Sequence, residues 1–128
     1  MTLNRIHHVA ILTDKYEESK QFYTAVLGFT ILNETYRRER DSYKLDLALN
    51  GQYCIELFSF PQYKERSSFP EAKGLRHLAF AVNDLDSWIH HLRSNRVDVE
   101  DARIDEITNK KFAFFYDPNR QPLELYEE

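Results

Sequence analysis

The feature that most constrains the fold is an internal duplication, because two halves of the chain repeat one order of elements. The stretch HHVAILTDKYEESKQFYTAV (7–26) begins with an apolar run, passes an acidic turn and continues with a helical pattern. The stretch RHLAFAVNDLDSWIHHLRSN (76–95) has the same order. Each half later carries a glutamate inside an apolar run, in YCIELF (53–58) and in QPLELY (121–126).

The spacing of histidine and glutamate is nearly the same in the two halves. His-Val-Ala at His8 corresponds to His-Leu-Ala at His77. Glu56 follows His8 by 48 positions, and Glu124 follows His77 by 47. A lone strand histidine is usually a hydrogen-bonded core residue, but matched pairs at matched spacing favour a shared site.

The residue pattern predicts a βαβββ module in each half. Gly28 is typical of a helix end, and Asn50-Gly51 of a two-residue hairpin turn. The segment 61–74 contains two prolines and many charges, which is typical of a linker. We therefore expect one domain, with module 1 at about 1–60 and module 2 at about 75–128. The predicted elements are strand 5–12, helix 15–27 and strands 29–37, 42–49 and 52–59, then strand 75–82, helix 85–95 and strands 98–104, 110–116 and 121–127.

Strand alternation indicates which of two adjacent histidines belongs to the site. Successive side chains of a strand point to opposite faces, so His8 lies on the face opposite to His7. The same alternation places Glu56 on one face with Cys54 and Phe58. If the helices cover one face of each sheet, the opposite faces can bring two histidines and two glutamates together around a cavity.

Imidazole nitrogen and carboxylate oxygen suit Zn²⁺, Ni²⁺, Co²⁺ or Mn²⁺, and the single cysteine provides no thiolate set. A bound dication would offset the cost of burying an ionised glutamate in an apolar strand. The remaining candidates have simpler interpretations. We expect His7 to be packed or surface-facing, His90 and His91 to be solvated on a helix, and the charged run 37–41 to be a solvated hairpin tip.

Composition limits the partners. A net charge of −4 and a pI near 5.7 argue against nucleic acid, which binds basic surfaces. The sequence lacks the run of about 18 apolar residues that a membrane span needs, and its start lacks a signal-peptide core. We therefore expect a soluble cytoplasmic protein without a nucleic-acid or membrane partner.

Four segments, taken in order, resemble the vicinal oxygen chelate superfamily, which includes glyoxalase I, methylmalonyl-CoA epimerase, fosfomycin-resistance proteins and extradiol dioxygenases. This resemblance implies an α+β fold in which paired βαβββ modules form a half-barrel around one divalent metal. It places the metal ligands at His8, Glu56, His77 and Glu124, with Zn²⁺ or Ni²⁺ expected and Co²⁺, Mn²⁺ or Fe²⁺ as alternatives. The segments are HHVAILTDKYEESKQFYTAVLGF, YCIELF, GLRHLAFAVNDLD and FYDPNRQPLELYE.

With a glutamate at position 56, the chain resembles the glyoxalase-like members of the superfamily, which bind the metal through four ligands. The resemblance implies a lyase or isomerase that forms an enediolate from an α-oxo compound or its thiol adduct. Glu124 is the expected catalytic base, and Glu56 is a ligand and second candidate base. Leu12 and Phe60 stand where a similar glyoxalase I has the arginine and asparagine of its glutathione site, so we expect an apolar rim and do not expect glutathione specifically.

Two alternatives remain open. One is a metal-free or metal-assisted small-molecule binding or resistance protein, and the other is an Fe²⁺-dependent extradiol dioxygenase. The intact set of four ligands disfavours a metal-free module, and Glu56 disfavours the dioxygenase.

A homodimer with metal sites at its interface is expected, because one module carries only one histidine and one glutamate. In similar short proteins, modules from different subunits commonly complete each barrel. Closure of the two modules of one chain on each other remains the alternative.

Overall fold

The computed structural model describes residues 1–67 and 72–128 and divides the chain into two units, residues 1–64 and 65–128. Each unit contains one four-stranded mixed sheet and a helical segment after its first strand. The prediction of paired βαβββ modules is therefore confirmed. Part of the predicted linker, residues 68–71, lies outside the described residues.

The first unit follows the predicted element order closely. Its sheet has the strand order β1-β4-β3-β2, with β1 parallel to β4 and the other neighbours antiparallel. The predicted helix begins as an α-helix and ends as a π-helical turn. The elements are β1 (Val9–Thr13), α1 (Tyr16–Gln21), the π-helical turn (Phe22–Val26), β2 (Thr30–Arg37), a 3₁₀ turn (Arg38–Arg40), β3 (Ser42–Leu49) and β4 (Gln52–Ser59).

The second unit repeats this topology, with strand order β5-β8-β7-β6 and β5 parallel to β8. In place of the strand predicted at 98–104, the structure has a two-residue strand at Arg103–Ile104. An isolated bridge between Val99 and Phe115 precedes it. Among the described helices, none is both long and apolar enough to cross a membrane. The elements are β5 (Leu78–Val82), α2 (Leu85–Ser94), β6 (Arg103–Ile104), β7 (Lys111–Tyr116) and β8 (Pro122–Glu127).

One face of each sheet forms the core of its unit. In the first unit, Leu45 pairs with Leu57 and Leu47 pairs with Ile55, and all four side chains are fully buried. In the second unit, α2 packs against β7 and β8, where Phe115, Leu123 and Leu125 are buried. The opposite face of each sheet is therefore the one that can carry a site.

Both histidines of the predicted site directly precede a strand rather than lying within it. The strand predicted at 5–12 begins at Val9, because β4 pairs with β1 from Ile55 onward. The strand predicted at 75–82 begins at Leu78. This corrects both strand starts.

A β-bulge sets the register of the site-bearing face in the first unit. Asn50 and Gly51 both have positive φ, which makes the two-residue hairpin turn that the sequence predicted. Ala48 pairs with Tyr53, whereas Leu47 pairs with Ile55, so Cys54 is an additional residue on β4. Because of this extra residue, apolar side chains of β3 pair with apolar side chains of β4 on the core face. On the other face, Asp46 pairs with Glu56.

Candidate metal centre

The first predicted pair is brought together within the first unit. His8 lies at the entrance of β1, and Glu56 lies in the middle of β4. The Nε2 atom of His8 is 3.8 Å from Oε1 of Glu56. The His8 ring stacks on the Tyr53 ring at a centroid distance of 5.2 Å and an interplanar angle of 8°.

The second carboxylate oxygen of Glu56 has separate partners. The Tyr53 hydroxyl donates to Oε2 at 3.0 Å, and the Lys44 ammonium lies 3.4 Å from the same atom. Lys44 is closer to Asp46, at 2.7 Å, and Tyr53 also donates to Asp46 at 2.7 Å. Asp46 is thus the main counter-ion of Lys44, and Oε1 of Glu56 is left facing His8.

Burial and hydrogen bonding shift the pKa values of Tyr53, Asp46 and Lys44. Burial, together with hydrogen bonds to Asp46 and Glu56, raises the pKa of Tyr53 far above its usual value. For Asp46, burial acts to raise the pKa, but the hydrogen bonds from Lys44 and Tyr53 outweigh it and leave the pKa lowered. The hydrogen bond to Asp46 raises the pKa of Lys44. Tyr53 therefore remains a hydrogen-bond donor to the carboxylates of Asp46 and Glu56.

His7 contacts the site, which corrects the expectation that it points away. Its Nδ1 lies 2.8 Å from Nδ1 of His8, and its ring packs edge-on against Tyr53. Alternation does not govern these two residues, because both lie before the start of β1. The contact requires one Nδ1 to donate and the other to accept. If His8 is the donor, its Nε2 carries a free lone pair toward Glu56.

The second predicted pair is brought together within the second unit. The Nε2 atom of His77 is 2.8 Å from Oε2 of Glu124, a hydrogen-bond distance. Glu124 is only 8% exposed although it lies in the middle of β8. The Phe114 ring packs edge-on against His77 at 4.9 Å, and Arg76 Nη1 lies 3.5 Å from His77 Nδ1.

The donor atoms of both pairs fit a divalent metal. Two ligand atoms that each lie about 2.0–2.1 Å from a tetrahedral ion are about 3.3 Å apart. The nitrogen–oxygen distances of 3.8 Å and 2.8 Å lie on either side of that value. Within each unit, the described residues form no group of three or more candidate ligand side chains. Each unit therefore offers one nitrogen and one carboxylate.

Sequence reasoning missed Lys44, Asp46 and Tyr53 as neighbours of the predicted ligand Glu56. Without a bulge, the Asn50-Gly51 turn pairs Glu56 with Leu45 and places Asp46 on the core face. The signal that could have revealed them is the apolar pattern, since only a one-residue shift pairs Leu45 with Leu57 and Leu47 with Ile55.

Most of the other sequence candidates have the simple roles expected of them. His90 and His91 are exposed on α2, opposite its buried residues. Burial raises the pKa of the Cys54 thiol, which disfavours a thiolate nucleophile. The rim at Phe60 is not simply apolar, because guanidinium groups of Arg37 and Arg40 lie over this ring. Arg37 also departs from the solvated hairpin tip predicted at 37–41, because it is half-buried, whereas residues 38–41 are exposed.

Comparison with known proteins identifies the family. The family model of the Glyoxalase/Bleomycin resistance protein/Dioxygenase superfamily matches residues 5–125. The chain is 56% identical to protein YwkD of Bacillus subtilis (strain 168), covering all of both chains. It is 57% identical to protein YaeR of Escherichia coli (strain K12), covering 98% of each.

A solved structure of a glyoxalase family protein from Enterococcus faecalis has the same fold, with a TM-score of 0.91 and 45% sequence identity. It matches over 99% of this chain and 100% of its own. A more distant relative is the metallothiol transferase FosB of Staphylococcus haemolyticus, 29% identical over 94% of this chain and 81% of FosB.

Proposed function

Because the chain belongs to the Glyoxalase/Bleomycin resistance protein/Dioxygenase superfamily, we propose that it is a metal-dependent lyase or isomerase. Its substrate is an α-oxo compound or the thiol adduct of one, and the reaction passes through an enediolate. The single observation that carries the proposal is the repeated histidine–glutamate pair. In each unit a histidine directly precedes the first strand and faces a glutamate in the last strand.

The proposed ligands are His8, Glu56, His77 and Glu124, which would together coordinate one ion in each site. Zn²⁺ or Ni²⁺ is the expected ion, with Co²⁺, Mn²⁺ or Fe²⁺ as alternatives. When bound, such an ion acts as a Lewis acid toward the substrate oxygens. Support for this set comes from the nitrogen and oxygen donors that face each other in both units.

Glu124 is the proposed catalytic base. Its carboxylate takes a proton from one carbon of the substrate and returns it to the adjacent carbon, so the reaction needs no external oxidant or reductant. The 2.8 Å contact with His77 Nε2 and the burial of Glu124 hold the carboxylate in one orientation with little access for water. Glu56 is the second candidate base, and Tyr53 and Lys44 hold its Oε2.

We further propose that the two units act as one domain in a homodimer of the cytoplasm, with no nucleic-acid or membrane partner. The pairing of one histidine and one glutamate in each unit supports a site that needs two units. The net charge of −4 supports the absence of a nucleic-acid partner.

Metal analysis of the purified protein tests the proposal directly. Wild type, loaded with excess Zn²⁺ or Ni²⁺ and then desalted, is expected to retain about one divalent ion per chain. His77→Ala is expected to lose tight binding, because it removes one of the two nitrogen ligands. His90→Ala is the matched control, since His90 is exposed on α2. Equal metal content in wild type and in a His8→Ala/His77→Ala chain would overturn the proposal.

A second candidate function is metal-assisted thiol transfer, as in a resistance protein, and the identity with the metallothiol transferase FosB favours it. The two functions differ in their use of the thiol. An isomerase converts a thiohemiacetal without net consumption of thiol, whereas a transferase consumes one thiol for each electrophile. Titration of free thiol during turnover of thiohemiacetals and of epoxides separates them.

A further inference from the structure

Two arginines and two phenylalanines form a cluster at the end of the first unit's sheet, which we call the Arg-Phe cluster. The Arg37 guanidinium carbon lies 4.8 Å from the centre of the Phe58 ring and 5.5 Å from that of Phe60. The Arg40 guanidinium carbon lies 5.8 Å from the Phe60 ring. The two rings stack at 5.6 Å.

The Arg-Phe cluster lies on the same face of the sheet as Glu56. Paired residues of neighbouring strands share a face, and so do residues two apart on one strand. Asp46 pairs with Glu56, and Lys44 pairs with Phe58, which places Phe58 on the Glu56 face. Arg37 pairs with Ser42, two residues before Lys44, so Arg37 lies on this face as well.

Both arginines retain unused hydrogen-bond donors. Arg37 donates from Nη2 to the Ser42 hydroxyl at 2.9 Å, and its Nε–H is buried without a partner among the described residues. Across the described part of the chain, no carboxylate forms an ion pair with Arg37 or Arg40. Lys44 on the same face differs, because Asp46 and Glu56 already neutralise it.

This arrangement is costly as a purely structural device. A guanidinium over an aromatic ring contributes only a small stabilisation at an exposed site. Two cations over the same Phe60 ring repel each other, and a buried donor without a partner has a desolvation cost. An anion beside the two guanidinium groups would reduce their mutual repulsion and accept charge-assisted hydrogen bonds from their remaining N–H groups.

We infer that the Arg-Phe cluster binds the anionic group, a carboxylate or phosphate, at the far end of the substrate. This inference rests on the proposed function for the position of the reacting end. Two residues along β4 separate Glu56 from Phe58, a distance of roughly 7 Å. The substrate is therefore an α-oxo compound or thiol adduct whose anionic group is several bonds from the oxygens that meet Glu56.

The first test uses inorganic phosphate and the metal-free full-length chain, so that it does not depend on the metal site. Binding is followed by titration calorimetry and by the NMR signals of the arginine Nε–H groups. Arg37→Gln and Arg40→Gln are each expected to weaken phosphate binding about tenfold, through the loss of charge-assisted hydrogen bonds. The matched control is Arg38→Gln, which removes the same charge from the same exposed turn.

The second test asks whether the bound anion belongs to the substrate. It compares the affinity of the Ni²⁺-loaded chain for 2-oxoadipate with its affinity for 2-oxohexanoate, which has the same carbon chain without the second carboxylate. We expect 2-oxoadipate to bind more tightly than 2-oxohexanoate, and Arg37→Gln and Arg40→Gln to remove this difference.

Three results would overturn the inference. The first is that Arg38→Gln weakens phosphate binding as much as Arg37→Gln and Arg40→Gln do. The second is that neither Arg37→Gln nor Arg40→Gln weakens phosphate binding. The third is that wild type binds 2-oxoadipate and 2-oxohexanoate with equal affinity. None of them bears on metal content, so the proposed metal site can survive this failure. Loss of the metal site in turn leaves the phosphate test intact.

Discussion

The Nδ1 atoms of His7 and His8 lie 2.8 Å apart, so the two adjacent histidines share one hydrogen bond. A histidine that binds a metal through one ring nitrogen usually donates from the other, which fixes its tautomer and orientation. With His8 as the donor, His7 holds the Nε2 lone pair of His8 toward Glu56. His7 is thus a positioning residue for the proposed ligand.

Removal of His7 is expected to weaken metal binding without abolishing it. His7→Ala leaves all four proposed ligands in place but removes the acceptor that orients His8, and loss of such a partner typically costs 10–100-fold in affinity. Competition with a chromophoric chelator measures the change. His90→Ala is expected to have no effect, and an unchanged affinity in His7→Ala would show that the contact does not orient His8.

Glu124→Gln is expected to separate catalysis from metal binding. The amide oxygen can still act as a ligand, but the amide cannot accept a proton. Because a positioned general base typically contributes ~10²–10⁴-fold, turnover should fall by about that factor while most metal is retained. Turnover and metal content are measured on the same preparation. Turnover of the Glu124→Gln chain within a few-fold of wild type would transfer the role of base to Glu56.

Tyr53→Phe is expected to destabilise the first unit. The Tyr53 hydroxyl donates to both Asp46 and Glu56, and loss of hydrogen bonds to charged groups costs about 1.5–3 kcal/mol. Urea unfolding at constant m-value measures the change in the free energy of unfolding. Tyr43→Phe is the matched control, because Tyr43 is partly exposed and contributes a stacked ring rather than a hydroxyl that donates to two carboxylates. An equal loss in the control would contradict the assigned role.

Glu34 is expected to make the free energy of unfolding depend on pH in the acid range. Hydrogen bonds from Tyr16 on α1, and then from Lys20, lower the pKa of Glu34. A group whose folded pKa lies below its unfolded value of about 4.3 stabilises the fold above that value, and this stabilisation is lost as pH falls through the folded pKa.

The variant Glu34→Gln tests this dependence. Wild type should be the more stable chain at neutral pH, and the difference in the free energy of unfolding should shrink as pH falls below about 4. Glu39→Gln, at an exposed position of the 3₁₀ turn, should show no such convergence. A difference that stays constant with pH would mean that the hydrogen bonds of Glu34 do not depend on its charge.

Much of the fold could be predicted from the sequence, because the duplication fixes the order of elements twice. The strands β3 and β4 have the predicted bounds, and the Asn50-Gly51 turn determines where β3 ends and β4 begins. The starts of β1 and β5 could not be predicted in the same way. Apolar residues continue before them at Ile6 and Leu75, yet both side chains are exposed, and neither residue pairs with a strand in the part of the chain that the structure describes.

The candidate pairs could be predicted, but their surroundings could not. Matched spacing identified His8 with Glu56 and His77 with Glu124. The neighbours Lys44, Asp46 and Tyr53 depend on the bulge at Cys54, and a one-residue shift in register moves every side chain of a strand to the other face. A bulge is a property of the pairing of two strands, so neither strand reveals it alone, and only a comparison of the apolar patterns of β3 and β4 across the turn does.

The distribution of ligands leads to the last prediction. Each unit contributes one histidine and one glutamate, so a site with four ligands needs two units. These can belong to one chain or to two chains of a homodimer. Two-fold dimers are the commonest soluble oligomers, and an exchange of modules closes such a dimer without leaving an open end.

Mixing of two inactive variants distinguishes these possibilities. We expect a His8→Ala chain and a His77→Ala chain, unfolded and refolded together, to recover part of the wild-type activity and metal content. In a shared-site heterodimer, both substitutions fall in one site and leave the other with four intact ligands. Each variant refolded alone is the control and should stay inactive. If every chain builds its own site, the mixture recovers nothing, and the assignment of the sites to a dimer interface is wrong.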